Sequence, residues 1–290
     1  MWTGKKKYEC EYRKHIRPIL LIFGTSLASS IYMTMDTTML GAMRGDTATG
    51  IYTAAVKINS VINTMLNTIS ATILPRVSYY LGNNLEKEFQ KLMKVSVDIL
   101  FMIAMPIAIG MMCTSDILIV LFSGDEFISG SLAAKILSVK LVIGAVDRVL
   151  AYQICIPYKK DKEVLISTIA GAAFNLVANA VLIRLYSVTG AAVATLMSEV
   201  LVFIILMKYS GKVFRVRDLY KRMPVYFLTS IWFFAVRWLV DRYNELNMVF
   251  ELIIIVAICA LGYFSLLLLI KDPYLIHILR VLKTKIWKKE

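Results

Sequence analysis

Charge is what this chain has too little of. Only 18% of its 290 residues are Asp, Glu, Lys or Arg, where a soluble domain carries about 25%. That deficit excludes an ordinary water-soluble globule. Histidine occurs twice, at His15 and His277, and neither has a partner at metal-ligand spacing, so no metal site is legible. The four cysteines, Cys10, Cys113, Cys155 and Cys259, form no CxxC pair, and three of them lie in or beside apolar runs. They read as small buried residues, with no disulfide framework or cofactor site implied.

Long apolar runs are present instead, from one end to the other. The chain is 58% hydrophobic, with a mean hydropathy of +0.67. A membrane-crossing helix needs roughly 20 mainly apolar residues. Runs of that kind are placed at about 18–41, 50–80, 95–122, 127–157, 163–184, 188–208, 222–241 and 248–270. The expected fold class is therefore all-α, a polytopic membrane protein with about eight transmembrane helices. The expected divisions are a basic segment 1–15, a six-helix lobe 16–208, a connector with two accessory helices 209–270 and a basic amphipathic tail 271–290. The first run is too long for a signal-peptide core and is expected to be retained. Leu81 to Lys94 is charged with apolar residues at Leu85, Phe89, Leu92 and Met93, which predicts a short amphipathic helix on the membrane surface. In the tail, Ile276, Leu279, Leu282 and Trp287 are placed to enter the interface. Asp98 and Lys135, near span ends, are expected to snorkel.

The basic residues set an orientation. Alternate connectors hold 25 Lys and Arg, from Lys5 in the first to Lys289 in the last, while the intervening connectors hold only Arg44, Arg184, Arg237 and Arg242. Both termini are therefore expected in the cytoplasm. This placement, in short loops between apolar runs, also explains the net charge of +13 without any nucleic-acid partner.

Polar residues within the runs mark a pathway, because a polar side chain in a bilayer must face protein or water. Lys57 to Ser70 is the clearest stretch. Wound as a helix, it puts Lys57, Asn59, Ser60, Asn63, Thr64, Asn67, Thr68 and Ser70 on one half of the wheel and Ile58, Val61, Ile62, Met65, Leu66 and Ile69 on the other. Asp36, Lys57, Lys140, Asp147, Arg148 and Glu199 are ionisable residues inside spans, each costing roughly 3 kcal/mol if turned to lipid at mid-depth. Asp36 and Lys57 lie at similar depth across a short turn and are expected to meet or share a polar pocket. Lys140 and Asp147 share a helix face with Gly144 between them. Asn175 and Asn179 form an i,i+4 pair that reads equally as pathway or as interhelical glue.

Three short motifs resemble a known family. They are Met35-Asp36-Thr37-Thr38-Met39-Leu40-Gly41, Gly50-Ile51-Tyr52-Thr53-Ala54-Ala55-Val56-Lys57-Ile58 and Leu74-Pro75-Arg76-Val77-Ser78. Their order and spacing resemble the polysaccharide flippases, the O-antigen and capsule repeat-unit exporters of the MATE-like transporter superfamily. The resemblance extends over nearly the whole chain but covers only the second half of that family's twelve to fourteen spans. It implies a MATE-like C-terminal lobe plus two accessory helices. It implies alternating-access transport of an undecaprenyl-pyrophosphate-linked glycan across the bacterial cytoplasmic membrane. Lys57, Lys140 and Arg148 would then face pyrophosphate, with Asn59, Asn63, Asn67, Asn175 and Asn179 facing sugar hydroxyls. Asp36, Asp147 or Glu199 would carry a coupling proton or cation. The missing lobe would come from a separate N-terminal half or from self-association.

Rival readings stay open at this point. A peptidoglycan-precursor flippase fits as well, and a MATE-like exporter of cationic compounds fits less well, because the charges in the spans balance. A truncated, non-functional remnant is a further alternative. A membrane enzyme would need paired carboxylates or a metal site on a substantial loop, and Asp125-Glu126 is the only acidic pair in the connectors of the outer side.

Overall fold

The computed structural model describes residues 12–211, 221–243 and 247–286. Within them every element is helical, as a bilayer requires of backbone that cannot hydrogen-bond to water. Most of the basic N-terminal segment, the connector at 212–220 and Trp287 lie outside the described residues.

Helix α1 runs Tyr12–Gly82, and 71 residues of helix would be about 105 Å long, far more than a bilayer core. It is broken at Gly45, whose φ of +82° is open to glycine and strained for other residues. The limbs 12–44 and 46–82 fold back on each other, with Leu40, Tyr52 and Ala55 in one apolar cluster. Helix α2, Glu86–Ser123, follows after a turn. A 3₁₀ turn at Asp125–Gly130 leads into α3, Ser131–Arg148, which widens into a π turn over Val149–Cys155. Helix α4, Asp161–Ser210, breaks at Ser187 and folds back in the same way as α1. The accessory elements are α5 (Met223–Leu228), α6 (Phe233–Tyr243), α7 (Met248–Leu269) and α8 (Pro273–Ile286).

Among the described residues six stretches are long and apolar enough to cross a membrane. The expected eight crossings correspond to these only if α1 and α4 are each counted twice at their breaks. The stretch expected at 222–241 is not one helix: turn residues 229–232 separate α5 from α6.

Two apolar clusters hold the lobe together. The smaller one gathers Leu40, Tyr52, Ile119, Leu137, Ile183 and Ala191 near the breaks. The larger one runs along α2, the π turn and the accessory helices, from Phe89 and Met93 to Tyr263 and Leu267. The breaks themselves are tied together by Arg44. Its Nε donates to the carbonyl of Ile183 at 3.2 Å, and a terminal nitrogen donates to that of Arg184. These are among the last four carbonyls before the break at Ser187, the positions where a helix end commonly takes outside donors.

Two expectations fail here. The amphipathic stretch 81–94 is not a separate surface helix. Only Asn83–Leu85 leave the helix, and Phe89 and Met93 are wholly buried on the protein's own core, with Phe89 edge-on to Tyr158. Asp98 does not snorkel: it is 1% exposed and hydrogen-bonded to Tyr274 of α8. In α8 itself, Leu275 and Ile278 pack inward on the larger cluster. The side chain of Leu282 is among those not described.

The accessory helices are fixed at both ends by charge. Arg237 of α6 bonds Asp116 of α2 at 3.0 Å, Asp241 at 3.0 Å and Glu251 of α7 at 2.8 Å. Arg222 bonds Asp272 at 2.5 Å, and the other oxygen of Asp272 accepts from the backbone N–H groups of Tyr274 and Leu275 at the start of α8, an N-terminal cap. Tyr158, in the turn before α4, donates to Glu86 at 2.9 Å, and burial with this carboxylate raises its phenol pKa.

Candidate functional site

The two limbs of α1, helix α3, the π turn and both limbs of α4 line a half-open cavity of about 360 Å³. Its lining mixes charged and polar side chains with apolar ones such as Val56, Leu137, Leu141, Val164 and Val202. It has two centres.

The first is Asp36, on the first limb of α1 and 5% exposed. One carboxylate oxygen accepts from Nδ2 of Asn179 at 2.6 Å. The other accepts from the hydroxyls of Tyr52 at 2.9 Å and Thr195 at 2.5 Å. The donors come from three helical limbs, so the carboxylate draws together both halves of α1 and both halves of α4. Asn179 is itself braced by Asn175 Oδ1 at 3.0 Å. Three charge-assisted hydrogen bonds are what allow a carboxylate to sit this deep.

The second centre is a group of four charges on α3 and α4. Lys140 Nζ lies 3.8 Å from Glu199 Oε2 and over the Tyr32 ring at 5.5 Å. Tyr32 donates to the same Glu199 oxygen at 3.3 Å. Glu199 fits because residue 144 is glycine: a Cβ there would stand 2.6 Å from Glu199 Oε1, with Arg148 Nη1 at 3.7 Å. Asp147, 5% exposed, lines the cavity with neither carboxylate oxygen hydrogen-bonded in the protein. The π turn begins one residue past Arg148. Such wide turns recur at functional sites, and this one brings Ala151 and Tyr152 into the lining.

Of the residues singled out in the sequence, Asp36, Asn59, Asn63, Asn67, Lys140, Asp147, Arg148 and Glu199 line this cavity. Lys57 does not. It is exposed and makes no ion pair among the described residues, so the expected meeting with Asp36 is not made and Tyr52 takes that place. The reason is rotation about the helix axis: residues 52 and 57 are five apart, about 140° round the helix. Asn175 and Asn179 are fully buried behind Asp36 and do not line the cavity. The polar half of the 57–70 stretch is also divided. Asn59 is buried, but Thr64 and Thr68 face outward, with hydroxyls satisfied by carbonyls four residues back at 2.9 and 3.0 Å. The inward face runs Asn59, Ile62, Asn63, Leu66, mixing polar and apolar residues. Tyr32, Tyr52 and Thr195 went unnoticed as site residues. Tyr52 stood in the Gly-x-Tyr-x-x-Ala motif, and its bond to Asp36 shows what joins that motif to the preceding one.

Residues 10–81 match the model of a family described as polysaccharide biosynthesis protein. A probable low-salt glycan biosynthesis flippase of Haloferax volcanii is 22% identical over 174 residues, 60% of this chain and 37% of that protein. A putative O-antigen transporter of Escherichia coli is 26% identical over 202 residues, 69% of this chain and 48% of that protein. The chain is similar in sequence to a glycan biosynthesis flippase and an O-antigen transporter over part of their length. It spans between about a third and a half of the length of these curated relatives. Two solved structures share the flippase-like fold. The lipid II flippase MurJ, in an inward closed conformation, superposes with a TM-score of 0.72 at 16% identity, over 90% of this chain and 55% of that one. An outward-facing multidrug resistance MATE family transporter of the MOP superfamily gives 0.58 at 13% identity, over 86% and 63%. These neighbours are polytopic membrane transporters, and this chain is a multi-pass membrane protein of the same fold.

Proposed function

We propose that the chain is one lobe of a carrier that moves a lipid-linked oligosaccharide across the bacterial cytoplasmic membrane. The substrate is an undecaprenyl-pyrophosphate-linked polysaccharide repeat unit, and the mechanism is alternating access. The observation that carries this reading is a charged, hydrogen-bonding cavity lined by helices whose outer surfaces are apolar. Polar side chains in that setting mark a substrate or ion path. The names of the curated relatives, a glycan biosynthesis flippase and an O-antigen transporter, support it.

In this reading the chain crosses eight times with both termini cytoplasmic, as the lysine and arginine asymmetry favours. Asp36, Asp147 and Glu199 are the coupling carboxylates. The polar side of the limb 46–82 meets a second lobe, supplied by a separate N-terminal half or by another copy of this chain.

Complementation tests it. A flippase-deficient strain receives this chain alone, and in parallel this chain with an N-terminal lobe of the family. Rescue in either arm, with export of the lipid-linked glycan, supports the reading. Rescue only in the second arm identifies the partner as the separate half. No rescue in either arm, with the chain present in the membrane, overturns the reading.

A further inference from the structure

Six buried polar atoms in the lining of the cavity have no hydrogen-bond partner in the protein. They are Asn59 Oδ1, Asn67 Oδ1, both carboxylate oxygens of Asp147, and Nε and Nη2 of Arg148. Four accept and two donate. The orientation of Asn59 is fixed, because its Nδ2 donates to the carbonyls of Ala55 and Ala134 at 3.0 and 3.4 Å. An unpaired buried polar group is costly, and all six border one cavity, with Asn59 and Asn67 about 12 Å apart along their helix.

The composition of that set selects among ligands. The pyrophosphate of a lipid-linked glycan, esterified at both ends and ionised at cytoplasmic pH, only accepts. It would engage Arg148, leave four acceptors unpaired and press its charge on Asp147 and Glu199. An ammonium ion only donates and would leave Arg148 bare. A sugar hydroxyl both donates and accepts, so a ring carrying several of them meets both kinds of atom at once. The charges disfavour an anion: Lys140 and Arg148 are balanced by Glu199 and Asp147, and Asp36 adds one more negative charge to the lining. Ser60, Ser167 and Thr168 add hydroxyls, and the rings of Tyr32 and Tyr152 give flat apolar faces of the sort small-molecule sites use for orientation. At about 360 Å³ the volume lies at the lower end for small-molecule pockets.

We propose that this cavity, inside a single lobe, is a carbohydrate site that takes one uncharged sugar residue and leaves the pyrophosphate outside it. The choice of a glycan as the natural source of that sugar rests on the flippase reading above. The site assigns Lys140 to holding Glu199 and leaves Arg148 and Asp147 to the sugar, and it removes both cations from the pyrophosphate contacts.

The test uses the full chain in lipid nanodiscs and free sugars. Methyl α-D-glucopyranoside, methyl α-D-galactopyranoside and N-acetyl-D-glucosamine are titrated by saturation-transfer NMR, with sodium pyrophosphate as competitor. At least one sugar receives saturation from the protein, and pyrophosphate does not displace it. Asp147→Leu and Asn67→Leu each weaken binding by about tenfold or more, the worth of a hydrogen bond to a charged or buried group. Asp125→Asn, on an exposed turn, leaves binding unchanged. No binding by any of the three sugars overturns the inference and leaves the cavity to water. Displacement by pyrophosphate, or binding indifferent to both cavity variants in folded protein, overturns it as well. Free sugars require no translocation. A chain that binds them and fails complementation loses the proposed function alone, and one that complements without binding them loses this inference alone.

Discussion

Asp36 permits a sharp test of what holds the lobe together. In Asp36→Leu three charge-assisted hydrogen bonds disappear, each worth about 1.5–3 kcal/mol in isolation. Their sum overstates the loss. Every donor keeps a second partner: Thr195 has the carbonyl of Ala191 at 2.9 Å, Asn179 has Asn175 Oδ1 at 3.0 Å, and Tyr52 has Thr195 Oγ1 at 3.2 Å. The substitution also removes the desolvation cost of a buried carboxylate, several kcal/mol. A net loss of about 2–4 kcal/mol is expected, a fall in Tm of about 4–8 °C at about 2 °C per kcal/mol for a chain of this length. Asp36→Asn behaves differently. Its Oδ1 can still accept from Asn179, and the Tyr52 and Thr195 hydroxyls can turn to accept from its Nδ2. Its Tm should stay within about 2 °C of the parent, while any step that needs the charge is lost. Fluorescence-detected gel filtration after heating in detergent measures both. Equal destabilisation by Asn and Leu would show that charge, and not hydrogen-bond count, joins these limbs. A harmless Leu would refute the reasoning entirely.

Gly144→Ala forces Glu199 out of its notch and breaks the contact with Lys140; complementation should fall several-fold while Tm changes by no more than the equivalent of about 1 kcal/mol. Asn63→Leu combined with Asn67→Leu should leave membrane insertion intact, read by fractionation, and impair transport or assembly. Normal transport in that double variant would mean that this face is packing alone. Arg237→Ala strips one donor from three carboxylates on α2, α6 and α7. With two of those acids partly exposed the loss should be about 1–3 kcal/mol, and protease cleavage between α6 and α7 should accelerate; unchanged cleavage would show that apolar packing alone fixes the accessory helices.

Depth in the membrane was legible in the sequence, and azimuth was not. Hydropathy and the Lys and Arg pattern placed the apolar runs, and Gly41–Gly50 and 185–187 bracketed the breaks at Gly45 and Ser187. Those signals depend on distance along the helix axis. Which side of a helix faces a neighbour depends on rotation. In a bilayer the outer face is apolar too, so the hydrophobic half of a wheel does not mark the core. Val61 and Met65, on the apolar half, are 63% and 59% exposed, while Asn59 on the polar half is 6% exposed. For the same reason Asp36 was matched to Lys57 at equal depth, when its partners Asn179 and Thr195 lie 143 and 159 residues away. The stretch 81–94 packs on the protein's own helices, and its amphipathic stripe looks the same as one that lipid headgroups would cover.

The bonds from Arg44 to the carbonyls of Ile183 and Arg184 act as a clasp across the tips of two helical hairpins. Near the clasp the hairpins cannot separate without breaking those bonds, and Tyr52 on Asp36 extends the hold into the limb 46–82, so the rest of that limb behaves like one arm of a pair of tweezers. Displacement then grows in proportion to distance from the joint. Asn67 lies 15 residues beyond Tyr52, about 22 Å along the limb, so a rotation of about 5° there would carry it about 2 Å. A motion too small to disturb the packing of Leu40 on Tyr52 would be enough to admit or release a ligand beside Asn67. Substitutions at the clasp should therefore change the reach of the arms at the far end more than the structure beside them.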